Sequence, residues 1–77
     1  MRTRMRLNKV EQAYLRMRIA YAKYRVGGMT PYQWDIYRRT YEVFEELRAG
    51  HNLMELVSEH AYGYVTERYA RILHKPK

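Results

Sequence analysis

The sequence predicts an all-α fold, a three-helix bundle running up-down-up with antiparallel neighbours and short connections. Three observations point to it. A capping residue is followed three positions later by Glu or Gln at Asn8/Glu11, Thr30/Gln33 and Asn52/Glu55. Glycines stand where helices should stop, at Gly27-Gly28 and Gly50. Between these marks, apolar residues recur at helical spacing.

The first helix is expected over residues 9–26. At Asn8 the side-chain oxygen accepts a bond from an otherwise unpaired N–H of the first turn, and Glu11 reaches back to the cap. Leu15, Ile19, Ala22 and Val26 form an aliphatic stripe assigned to the core. Val10, Tyr14, Met17, Tyr21 and Tyr24 form a second stripe nearly opposite, bordered by Arg18 and Arg25 on one flank and by Lys9, Arg16 and Lys23 on the other. A helix apolar on two sides needs two neighbours. Either the other two helices cover both stripes, or the tyrosine stripe faces a partner.

The second helix is expected over 31–49, opened by Thr30 with Pro31 at the position where a missing N–H costs nothing. Tyr32, Ile36, Tyr37, Val43, Phe44 and Leu47 form its inward face, and Trp34, Arg38, Tyr41, Glu45 and Arg48 line the other side. Asp35/Arg39 and Arg38/Glu42 are spaced for ordinary surface ion pairs. Trp, Tyr and Arg are also the residues that interface hot spots favour. Tyr14, Tyr21, Trp34, Arg38, Tyr41 and Arg48 are therefore the candidate partner-binding residues.

The third helix is expected over 53–74, with Met54, Val57, Ala61, Tyr64, Val65 and Ile72 facing inward. Gly63 falls inside it at a cost of about 1 kcal/mol relative to alanine, marking a kink or a close helix crossing. Connections of about three to four residues force neighbouring helices antiparallel. The organisation is then a flexible basic arm over 1–7, a single helical domain over 8–74 and a basic tail over 75–77.

A chain of 77 residues holds one domain, and at that size folding removes only about 60 to 65 per cent of the unfolded surface from water. The absence of cysteine excludes disulfides and thiolate metal sites. Charged residues interrupt every apolar run, so neither a signal peptide nor a membrane span is expected. The Arg-rich, acid-poor start also suits an organelle transit peptide, but that stretch contains no serine. The expectation is a soluble cytoplasmic protein, free or associated with nucleoid or nucleus.

No enzymatic constellation emerges. Glu55 and Glu59 are spaced to share a helix face, but no histidine joins them, and a solvated acidic face near a helix start explains the pair. His51, His60 and His74 are too scattered for a metal site, and the Gly27-Gly28 pair lacks the Lys-Ser/Thr of a phosphate loop. No enzyme activity, cofactor, metal or small-molecule substrate is expected.

Charge is the informative quantity. The net charge is +7, and residues 1–25 concentrate it in Arg2, Arg4, Arg6, Lys9, Arg16, Arg18, Lys23 and Arg25 against the single acid Glu11. Clustered cations gain affinity for phosphates by releasing counterions, and arginine adds a planar fork for bidentate contact. Thermophilic composition would produce the same arginine bias. These eight residues are the candidate nucleic-acid contacts, directed at DNA or RNA backbone without sequence specificity, the arm lying along a backbone or in a minor groove. Tyrosines beside arginines also stack single-stranded bases, although most tyrosines here are expected in the core. The competing expectation is a non-catalytic accessory subunit of a polymerase, nuclease or ribosome that docks through its Tyr/Trp/Arg faces, and homo-oligomerisation would cover the same faces.

Overall fold

A computed structural model describes residues 6–74 of the chain. Arg2 and Arg4 of the expected basic arm, and the tail from Lys75, lie outside the described residues. Among the described residues there are four helices: α1 (Lys9–Val26), α2 (Pro31–Arg48), α3 (Leu53–Leu56) and α4 (Glu59–Leu73). Among the described residues there is no strand, and no helix is long and apolar enough to cross a membrane.

The helix starts form where the caps stand. The Asn8 side chain accepts from the Glu11 N–H at 2.8 Å, and the Glu11 carboxylate accepts from the Asn8 N–H at 3.0 Å. The Thr30 hydroxyl accepts from the Gln33 N–H at 3.3 Å, and the Glu55 carboxylate accepts from the Asn52 N–H at 2.9 Å. Helix α2 stops one residue short of expectation, because Ala49 already takes a left-handed conformation (φ 53°) ahead of Gly50. A non-glycine residue there costs about 1 kcal/mol or more.

The single long third helix is corrected by the structure. Val57 is extended (φ −114°, ψ 120°), and Ser58 starts a new helix by accepting the Ala61 N–H on its hydroxyl at 3.1 Å. Glu55 and Glu59 therefore sit on different helices rather than on one shared face. The break lets Val57 drop into the core, where it is almost completely buried. Gly63 marks no close crossing, because a Cβ placed there would meet nothing within 4 Å.

Helix α1 is the hub, packing against both α2 and α4, while α2 and α4 scarcely meet. Partners run in reverse order along α2 (Tyr24 with Trp34, Tyr21 with Tyr37, Tyr14 with Phe44). They run in the same order along α4 (Glu11 with Ser58, Tyr14 with Tyr62, Tyr21 with Tyr69). Helix α2 is thus antiparallel to α1, and α4 parallel to it. The molecule is a layer of 35 × 32 × 18 Å rather than a sphere.

The core is small: Ala13, Tyr14, Met17, Phe44, Val57, Ala61 and Val65. This corrects the side of α1 assigned to it. Of the expected stripe only Ala22 is fully buried, while Leu15 and Ile19 are half-buried and Val26 is exposed. Tyr14, expected at a partner interface, is buried in the core, and burial pushes its hydroxyl pKa up, keeping it neutral. On α2 only Phe44 is buried, and Tyr32, Val43 and Leu47 of the expected inward face are exposed, as is Met54 of α3. With α2 and α4 splayed on either side of α1, no third helix closes over those residues.

One buried charge ties the layer together. Glu11 is 5 % exposed, and its second carboxylate oxygen accepts from the Ser58 N–H of the α3–α4 junction at 2.9 Å. Burial works against the ionised carboxyl, but the Ser58 and Asn8 N–H groups outweigh it and hold the pKa below the usual glutamate value.

Candidate nucleic-acid interface

The cations of α1 fall on two lines because their spacing is seven residues, close to two helical turns. Lys9, Arg16 and Lys23 form one line and Arg18 and Arg25 the other, on nearly opposite sides of the helix. Lys9, Arg16 and Lys23 are exposed at roughly 10 Å intervals, at 1.5 Å per residue. Arg16 and Lys23 line a depression along the α1–α2 seam with Ile19, Ala20, Ile36 and Thr40, and Arg16 and Thr40 also line a second one with Arg39 of α2.

The second line meets the aromatic side of the layer. The Arg18 guanidinium lies over the Tyr69 ring, 4.1 Å from its centroid. The Arg25 guanidinium donates to the Tyr69 hydroxyl at 3.2 Å. Six rings, Tyr21, Tyr24, Trp34, Tyr37, Tyr41 and Tyr69, continue from there with centroids 5.0 to 6.3 Å apart. Tyr21, Tyr24, Tyr37 and Tyr69 are half-buried, and Trp34 and Tyr41 are 45 % and 43 % exposed. The expectation that most tyrosines are core is corrected: among the described residues Tyr14 alone is fully buried.

The electrostatic contrast between helices is sharp. Among the described residues no acid lies within 4 Å of Lys9, Arg16, Arg18, Lys23 or Arg25. In α2 each arginine is engaged within its own helix: Arg38 by Asp35 at 3.0 Å and Glu42 at 3.1 Å, Arg39 by Asp35 at 2.9 Å, Arg48 by Glu45 at 3.0 Å. The only acid of α1, Glu11, is buried and turned to backbone N–H groups.

The residues singled out by sequence are therefore divided. Arg6, at the edge of the described chain, is exposed. Tyr21, Trp34 and Tyr41 come together in one aromatic array. Arg38 is engaged by Asp35 and Glu42, and Arg48, half-buried and held by Glu45, lies 5.7 Å from the ring centre of Phe44, which is not part of that array. Tyr69 was missed as a site residue, although its position on α4 is what joins Arg18 and Arg25 to the aromatic side. No three His, Asp or Glu side chains converge among the described residues. No protein-family model matches the chain, and no curated protein or solved structure shows significant similarity to it.

Proposed function

We propose that the protein is a small basic nucleic-acid-binding module, an open three-helix bundle in which α1 presents two lines of cations to phosphates. The observation that carries this reading is that five α1 cations have no acid partner within 4 Å among the described residues, whereas all three arginines of α2 do. An arginine already paired with an acid of its own helix gains less from a phosphate. One left without a counter-charge gains most from a phosphate, because binding releases the counterions that otherwise screen both. The seven-residue spacing supports contact with an extended polyanion rather than with a single small anion.

Binding of a fluorescently labelled DNA or RNA, followed by anisotropy across a salt series, tests the proposal. Affinity should fall steeply with salt and collapse when Arg16, Arg18, Lys23 and Arg25 are changed together to alanine. Salt-independent binding, or unchanged binding by that variant, would refute it.

A second reading, an accessory subunit docking on a protein partner, is favoured by a different observation. Val26, Met29, Tyr32, Val43 and Leu47 are all exposed large apolar residues, and such residues mark an interaction surface where they form one patch. Tyr32→Ser with Val43→Ser should then abolish capture of that partner while helix content is retained.

A further inference from the structure

We infer that the aromatic side of the layer is a stacking platform for the bases of a single-stranded nucleic acid, with Arg18 and Arg25 gripping its backbone. This rests on the nucleic-acid reading above and narrows it to single strands. Rings that serve only a core are covered, but Trp34 and Tyr41 lie open at 45 % and 43 % exposure, joined through Tyr37 at 5.5 and 6.1 Å. Every base has a π-face, so such rings accept any sequence, provided the bases are not paired. Trp34, Tyr37 and Tyr41 span seven helical steps, roughly 10 Å, which matches about three bases at 3.4 Å each.

Charge selects this occupant over an apolar protein surface. Arg18 and Arg25 lie at the edge of the ring array, both engaging Tyr69, and neither has an acid within 4 Å among the described residues. The acids of α2 beside Trp34 and Tyr41, namely Asp35, Glu42 and Glu45, are each held by an arginine of the same helix at 2.9 to 3.1 Å. A cationic edge beside exposed rings is the composition that single-strand channels use, arginines tracking the backbone while aromatic faces take the bases.

Trp34 is the only tryptophan of the chain, so its emission reports on the platform. The intact protein should be titrated at low salt with oligothymidylate or oligouridylate of about 12 nucleotides, within the site sizes of such proteins, and with a duplex of the same length. The expected result is quenching of Trp34 emission by the single strands and not by the duplex. Trp34→Leu and Tyr41→Ala, read by anisotropy of labelled oligonucleotide, should each weaken single-strand binding about tenfold and leave duplex binding unchanged, and Trp34→Phe should restore most of the loss. Single strands that bind with full Trp34 emission and are insensitive to Trp34→Leu overturn the platform while leaving phosphate binding standing. No binding of either form at low salt overturns both. Self-association that Trp34→Leu abolishes assigns the rings to a second copy of the chain and also overturns the inference. Circular dichroism of each variant separates lost stacking from lost folding.

Discussion

Helices α1 and α2 are both 18 residues long and pack against each other, yet they handle charge in opposite ways. Helix α2 carries Arg38, Arg39 and Arg48 among four acids and engages each arginine within the helix. Helix α1 carries five cations and one acid, and that acid is withdrawn into the interior to hold Ser58. The difference teaches that a cation's sequence neighbourhood decides whether it is available. An acid three or four residues away consumes it, and its absence leaves the charge for something outside the chain.

Removing cations from one helix or the other should give the largest effect. Replacing Arg16, Arg18, Lys23 and Arg25 with alanine should reduce nucleic-acid affinity more than a hundredfold at about 50 mM salt, since each lost phosphate contact removes about 0.7 to 0.9 from the logarithmic salt slope. Replacing Arg38 and Arg39 should change affinity less than about twofold, because they are already ion-paired. Thermal melting should change little for the α2 variant, whose ion pairs are exposed, and should fall for the α1 variant, which gives up the Arg18–Tyr69 cation–π contact and the Arg25–Tyr69 hydrogen bond.

Glu11 sharpens the contrast from the stability side. Glu11→Ala leaves the Asn8 and Ser58 N–H groups without their charged acceptor and should cost about 2 to 3 kcal/mol in urea denaturation. Its folded pKa is depressed, so its contribution is complete above the ordinary carboxylate range and is lost as pH falls through the folded value. The native protein should therefore lose stability on acidification, and Glu11→Gln should flatten that part of the profile. An unchanged profile would show that Glu11 does not link α1 to α4.

The smallest expected effect lies at the end of α2. Ala49→Gly relieves a left-handed alanine and should stabilise the fold by about 1 kcal/mol with no change in binding.

Helix starts at Asn8 and Thr30 and the seven-residue cation lines were legible because both follow from local spacing alone. The turn at Ser58 was not. Four residues of α3 followed by a new cap read as one continuous apolar pattern, and the available signal was weak: a serine directly before Glu59, an N-cap followed by a first-turn acid. The core side of α1 was also hidden, because its apolar residues surround the helix and periodicity cannot choose among them. Ala13 and Ala20 decided it in space, being small and fully buried while the larger Leu15 and Ile19 remain partly open. The exposed Trp34 array was partly legible, as a Trp/Tyr/Arg face of α2. Its continuation through Tyr69 depends on where α4 lies, which local sequence does not encode.

On the nucleic-acid reading proposed above, the unpaired cations of α1, and not the paired ones of α2, are the charges offered to phosphates. The most direct test is the slope of log affinity against log salt for one oligonucleotide, measured for the native chain, for Arg16→Ala/Lys23→Ala and for Arg38→Ala/Arg39→Ala. The slope should become shallower by roughly 1.4 to 1.8 for the α1 variant, at 0.7 to 0.9 per contact, and stay unchanged for the α2 variant. Equal slopes for all three proteins, or a loss confined to the α2 variant, would contradict it.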